Sequence, residues 1–220
     1  MTEVIIIDRG LELYEKTHQA MKDQLALLKG GKRTELWCVQ HLPVFTQGQA
    51  GKAKHVLNPG DIPVIQSDRG GEVTYHGPGQ VILYTLIPMK HFTLNVRALV
   101  SLLENIVIGL LESYGISSLA HADAPGVYVG NRKIASLGLR IRHGVSYHGV
   151  ALNVSMDLEP FSRINPCGYE GLEVTQLSDY ISRVAIDHVF DQLSRRLKQQ
   201  LLDLASHRMA SQNQQNILDH

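Results

Sequence analysis

Cys167 stands in the run Arg163-Ile164-Asn165-Pro166-Cys167-Gly168, between a proline and a glycine, and the 220-residue chain has one other cysteine, Cys38. Cysteine reacts as its thiolate, is partly ionised near neutral pH and is intrinsically nucleophilic. Two upstream segments carry groups that such a thiol would use. Lys133 lies in Gly130-Asn131-Arg132-Lys133-Ile134-Ala135-Ser136-Leu137-Gly138, and the run Arg69-Gly70-Gly71-Glu72-Val73-Thr74-Tyr75-His76-Gly77-Pro78-Gly79-Gln80 holds four glycines and a proline. A thiol, an amine and a loop of backbone donors are the parts that pass an acyl group through a thioester.

Each part also has a plainer reading. The glycine run is a wide hairpin loop unless it holds a ligand. It lacks the Lys-Ser/Thr ending of a phosphate loop and the glycine spacing of a dinucleotide fingerprint. Free amides in such a loop can bind an oxygen or a carboxylate, and Arg69, Tyr75 and His76 add polar groups that a plain hairpin does not need. A lysine in a strand usually faces solvent, but Ile134, Ala135 and Leu137 mark this strand as buried. Burial disfavours the ammonium, so the Lys133 pKa is expected to fall and the amine to act as a base toward the thiol. Cys38, within Leu36-Trp37-Cys38-Val39, reads as structural. The strand pattern His148-Gly149-Val150-Ala151-Leu152-Asn153 has two small residues, which leave room for a ligand or allow close packing; both readings stay open. The eleven histidines show no pair at metal-ligand spacing with cysteine or carboxylate partners, so no metal site is expected.

The elements that must position these groups follow from periodicity. Val4–Ile7 reads as a strand and Leu11–Leu28 as an amphipathic helix with Tyr14, His18, Met21, Leu25 and Leu28 on one face, stopped by Gly30-Gly31. Glu35–Gln40 is a strand, His41–Gly48 a turn-rich exit, Pro63–Gln66 a brief strand and Val81–Ile87 an apolar strand leaving the glycine run. Asn95–Tyr114 is a helix capped by Asn95 and ended by Gly115. Strands follow at Gly126–Val129, Lys133–Ile141 and Ser146–Val154, the last two joined by a turn at Arg142-His143-Gly144. A long loop over Asp157–Gly171 carries Cys167, and Val184–Leu204 is a second long helix. The pattern predicts an α+β, or mixed α/β, fold of one domain: a mixed sheet flanked by helices. Its parts are an N-terminal strand and helix (1–29) packed on a catalytic core (30–206), then a polar, frayed tail (207–220).

Bulk properties bound the function. Lys+Arg and Asp+Glu are 21 each, so no net basic field argues for nucleic acid. Two cysteines do not make a disulfide scaffold and suit a reducing compartment. The N-terminus lacks a basic region and a signal-length apolar run, and no stretch is long enough to cross a membrane, so a soluble cytoplasmic protein without a membrane role is expected.

Taken together, the runs Arg69–Gln80, Gly130–Gly138, His148–Val154 and Asn165–Gly168 resemble the lipoyl(octanoyl) transferase family in order and spacing, over roughly residues 30 to 205. The resemblance implies the fold of the catalytic domain shared by biotin and lipoate protein ligases. It implies Cys167 as the acyl-thioester nucleophile and Lys133 as the residue that lowers the cysteine's pKa. By the same resemblance Arg69, Gly70, Gly71, Glu72, Val73, Thr74, Tyr75 and His76, then Ser136, Leu137 and Gly138, then Gly149, Val150 and Ala151, line the acyl site. Backbone amides, those of the Cys167 turn among them, would hold the oxyanion. The implied reaction moves octanoyl from octanoyl-acyl carrier protein to a lysine on lipoyl domains of 2-oxoacid dehydrogenase complexes and on the glycine cleavage H protein. A thioester donor is already activated, so no ATP or other cofactor is required. Two alternatives stand beside it: an ATP-dependent lipoate or biotin ligase of the same fold, and an inert scaffold that only binds carrier domains.

Overall fold

The structure, a computed structural model, describes residues 2–121 and 124–218. Along the chain lie β1 (Glu3–Glu12), α1 (Tyr14–Leu28), β2 (Arg33–His41), β3 (Val44–Gln47), β4 (Val64–Gln66), β5 (Val73–His76), β6 (Gln80–Pro88), α2 (Val96–Ser113), β7 (Leu119–His121), β8 (Ala124–Val129), β9 (Arg132–Arg142), β10 (Val145–Asn153) and α3 (Ile186–Leu218). Among the described residues the strands form a seven-stranded sheet in the order β1-β2-β6-β10-β9-β8-β7 and a three-stranded sheet β4-β3-β5. Pairing is antiparallel except for β1 with β2 and β3 with β4. The mixed sheet flanked by helices expected from the pattern is the fold observed.

The two central strands explain the packing. Every residue of β6 and β10 is buried, so both strands are covered on both faces. On one face α1 lays Met21, Leu25 and Leu28 against Trp37, Ile82, Tyr84, Tyr147 and Ala151. The buried side of α1 is Tyr14, Thr17, His18, Met21, Leu25 and Leu28, the stripe read from the sequence plus Thr17. On the other face α2 and α3 cover Leu83, Val127, Ile134, Val150 and Leu152. Asn95 caps α2 by accepting the Ala98 amide at 2.8 Å. A third cluster, Phe45, Val73, Tyr75, Met156, Phe161 and Ile164, packs under the small sheet.

Several boundaries differ from the expectation, each for a local reason. The turn-rich exit at His41–Gly48 contains β3, and the glycine run contains β5; four-residue strands between glycines and prolines leave almost no period to read. The first helix starts at Tyr14, because Leu11 and Glu12 still pair with Gln40 and His41. The short edge strand β7 was absent from the expectation. The tail expected to fray from His207 continues α3 to Leu218. No glycine or proline interrupts that segment, and the Arg208 guanidinium donates to the carbonyls of Lys90 and His91, each at 2.6 Å. Asp219 and His220, the end of that expected tail, lie outside the described residues.

Candidate active site

Cys167 occupies a tight turn with φ +56°, ψ +18°, left-handed geometry that costs a non-glycine residue roughly 1–2 kcal/mol. Backbone bonds hold the turn in place. The Leu57 and Asn58 amides donate to Arg163 O at 2.9 and 3.1 Å, and Asn165 N donates to His55 O at 2.8 Å. Past the turn, the chain lies beside β9: Lys133 N donates to Glu173 O and Thr175 N to Lys133 O, both at 2.9 Å. The loop that bears the thiol is thus fastened to the strand that bears the amine.

Lys133 reaches the thiol because β9 carries a bulge. Val127 pairs with Ala135, but the next residue, Tyr128, pairs with Lys133, so Ile134 is an extra residue on β9. The bulge breaks the alternation that would place Lys133 on the face of Ala135. Gly126 opens the path: a Cβ there would stand 2.7 Å from Lys133 Cε. Its amide donates to the buried Glu104 carboxylate at 3.0 Å, which pins β8 to α2. Lys133, 2% exposed, donates through Nζ to Cys167 Sγ and to Pro125 O, both at 3.1 Å. Its ammonium also lies 5.2 Å from the Tyr128 ring centre.

The charge state of Lys133 corrects the sequence expectation. Burial does push its pKa down, but the adjacent Cys167 sulfur and Tyr128 outweigh burial and the net shift is upward. The resting amine is therefore held as an ammonium. It stands beside the sulfur as a cation rather than as the neutral base expected from burial alone.

The pair opens into a cavity of about 370 Å³, within the size range of small-molecule sites. Its lining contains Cys167, Lys133, Arg69, Gly70, Gly71, Glu72, Val73, Thr74, His76, Ser136, Leu137, Gly138, Gly149, Val150 and Ala151. Tyr75, expected with them, turns away: its ring packs against Phe45 and Phe161, with centroids 5.5 Å apart in each case. Arg69 lines the cavity, yet its guanidinium is engaged inside the protein. It donates to Thr46 O at 2.6 Å, Thr46 Oγ1 at 3.0 Å, Gly70 O at 3.0 Å and Glu72 O at 2.6 Å, and so shapes the glycine run. That run crosses β9 where Gly70 N donates to Leu139 O at 2.9 Å. A Cβ on Gly138 would stand 3.1 Å from Gly70 O, so a side chain there would press on the crossing. The turn amides expected to hold an oxyanion are partly engaged: Gly168 N donates to Asn165 O at 2.9 Å and Tyr169 N to Pro166 O at 3.1 Å.

Sequence reasoning missed the polar end of the cavity. Tyr14, Tyr84 and His148 line it, and polar side chains inside otherwise apolar buried strands were the available signal. His148 has φ +60°. His148 and His18 donate through Nε2 to Asp68 Oδ1 at 2.9 and 2.7 Å, and Tyr147 OH donates to Oδ2 at 2.5 Å. Burial lowers the pKa of His148 to about 4 and of His76 to about 3, so both rings are neutral at pH 7. Burial would raise the Asp68 pKa, but the hydrogen bonds from His148, Tyr147 and His18 hold it well below the usual carboxylate range. The sequence offered no metal-ligand grouping, yet the fold brings donor atoms of His18, Asp68 and His148 within 4.8 Å of one another. The spacing was unreadable because the three come from α1, the loop after β4, and β10. Their N–O separations are hydrogen-bond lengths.

The family model of the lipoyl protein ligase A/B catalytic domain matches residues 15–198. The chain is 56% identical to an octanoyltransferase of Klebsiella pneumoniae over 205 residues, covering 93% of this chain and 94% of that one. It is 51% identical to an octanoyltransferase of Marinobacter nauticus over 214 residues, covering 97% and 99%. A crystal structure of lipoate-protein ligase A bound with ATP superposes with a TM-score of 0.73 at 16% identity, covering 90% of this chain and 85% of that one, a likeness of fold. A bipartite lipoate protein ligase of Thermoplasma acidophilum, solved in a study that includes its E2 lipoyl domain, gives 0.67 at 18% identity over 90% and 84%. The chain therefore belongs to the octanoyltransferase family within the lipoyl protein ligase A/B catalytic domain class, and it is an acyltransferase of protein lipoylation.

Proposed function

We propose that this chain transfers octanoyl in two covalent steps through Cys167. The observation that carries the reading is the 3.1 Å contact between Lys133 Nζ and Cys167 Sγ beside the apolar cavity. The ion pair supplies a thiolate without an external base. That thiolate attacks the thioester carbonyl of octanoyl-acyl carrier protein, the C–S bond to the carrier breaks, and the leaving carrier thiolate takes a proton from Lys133. Before that proton moves, the Lys133 ammonium lies beside the developing oxyanion, the kind of preorganised charge worth about 2.7–4 kcal/mol in acyl transfer. A lysine on a lipoyl domain, of 2-oxoacid dehydrogenase complexes or of the glycine cleavage H protein, then attacks the octanoyl-cysteine. The amide forms and the thiolate returns.

The apolar lining, with Ile82, Val96, Val100, Leu137, Leu139 and Val150, suits an eight-carbon tail at about 0.8 kcal/mol per buried methylene. The cytoplasm is the compartment proposed. Among the described residues no helix is long and apolar enough to cross a membrane.

The test is denaturing mass spectrometry after incubation with octanoyl-carrier protein and no ATP. The expected product is one octanoyl group on Cys167 in the native protein and none in Cys167→Ser. Transfer that needs ATP and magnesium and leaves no mass on Cys167 would support the ligase reading instead. A lipoyl acceptor that binds but is never acylated would support the inert scaffold.

A further inference from the structure

Proton balance in the second step leaves one proton without an acceptor. An incoming lysine arrives as an ammonium and ends as an amide, so it loses two protons. Lys133, left neutral when it protonates the departing carrier thiol, takes one of them and becomes an ammonium again. The other needs a second base near the thioester.

The geometry points to Glu72 as that base and as the docking group for the acceptor's ammonium. Its side chain lines the cavity with Cys167 and Lys133, and a methyl group on Gly168, the residue after the nucleophile, would collide with both carboxylate oxygens. Oε2 is buried and has no hydrogen-bond partner among the described residues. His55 Nε2 stands 3.4 Å from it, a long ion-pair contact, and although Oε2 itself is covered, the Glu72 side chain as a whole is 20% exposed where it borders the cavity. Arg69 fixes the residue from behind by donating to the Glu72 backbone oxygen at 2.6 Å. Of the titratable and charged groups nearby, His55 faces the carboxylate, and Arg69, Lys133, Cys167 and Tyr169 line the same cavity. An unsatisfied carboxylate oxygen beside a nucleophile is a site for a cationic hydrogen-bond donor.

The step balances as follows. Glu72 accepts one N–H proton from the lysine ammonium, the free amine attacks the octanoyl carbonyl, and a C–N bond forms. Lys133 takes the second proton from the tetrahedral intermediate, the C–S bond breaks, and Cys167 leaves as thiolate beside the restored ammonium. Glu72 returns its proton to solvent.

This inference rests on the thioester reading, and one experiment separates the two. Octanoyl-Cys167 enzyme is prepared first, then its discharge to a lipoyl-domain lysine is followed in single turnover from pH 6.5 to 9.5. In Glu72→Gln the discharge is expected to fall about a hundredfold at pH 7, the low end of general-base effects. It should recover as pH rises toward the amine's own pKa, because free amine then arrives from solution. Discharge by hydroxylamine, neutral at pH 7, should be far less affected. Equal loss at every pH and with both nucleophiles, or no loss with lysine, overturns the role of Glu72. Glu72→Asp, which keeps the carboxylate but shortens it, serves if the glutamine variant does not fold, and its discharge rate should show the same pH dependence. If the native enzyme forms no octanoyl-Cys167, the thioester reading falls and this inference with it.

Discussion

Replacing Lys133 by methionine isolates what the ammonium does for the thiol. The side chain is similar in length and fits a site that is 2% exposed without leaving a buried charge. At 3.1 Å an ammonium and a thiolate attract by roughly 5 kcal/mol at an effective dielectric of about 20. Cys167 is only half-buried, so solvent screens part of this, and the burial of Lys133 opposes it. Opposite charges this close typically move a titration by about 1–3 units, each worth about 1.36 kcal/mol. Removing the cation withdraws the charge that favours the reactive anion, so alkylation of Cys167 by iodoacetamide at pH 7 should slow by about a hundredfold, with thermal melting to confirm the fold. Lys133→Arg separates charge from proton transfer. It should keep most of the thiolate but not octanoyl transfer, because arginine does not release a proton. An unchanged alkylation rate at pH 7 in a folded Lys133→Met protein would refute the ion-pair account.

Three further outcomes follow from the same geometry. Ala151→Leu adds bulk to the cavity wall and should shift kcat/KM toward four- and six-carbon donors by about tenfold, whereas a uniform loss at all lengths would remove Ala151 from chain-length selection; Gly149 is unsuitable for this purpose, because any Cβ there collides with Leu83 O of the neighbouring strand. Burial lowers the pKa of His41 and His148 to about 4 and of His76 to about 3, so the unfolded chain binds protons from about pH 6.5 that the native state refuses until near pH 4. Stability should fall as pH drops through that window, by about 2 kcal/mol per histidine at pH 5, and equal urea midpoints at pH 7.5 and 5 would contradict it. Cys38→Ser should retain octanoyl transfer while Cys167→Ser loses it, since Cys38 is buried in β2 away from the cavity lining; loss in both would mean the assay reports folding.

Periodicity and local chemistry determined much of this protein from the sequence alone. The Asn95 cap and the apolar recurrence of α2, the buried stripe of α1 from Tyr14 to Leu28, and the apolar run of β6 are local patterns, and local patterns survive in one dimension. The proline-glycine setting of Cys167 marked it as a loop thiol, and the glycine run marked a loop beside the site. Tertiary structure decided the rest. Whether Lys133 is neutral or charged depended on a sulfur 34 residues away in sequence, which reversed the effect of burial. A single inserted residue, Ile134, set the direction of Lys133, and a bulge appears only when two strands are paired. Tyr75 faced an aromatic cluster assembled from Phe45 and Phe161, and His18, Asp68 and His148 met from three elements. Charge state, side-chain direction and such meetings depend on distances through space, which spacing along the chain does not encode.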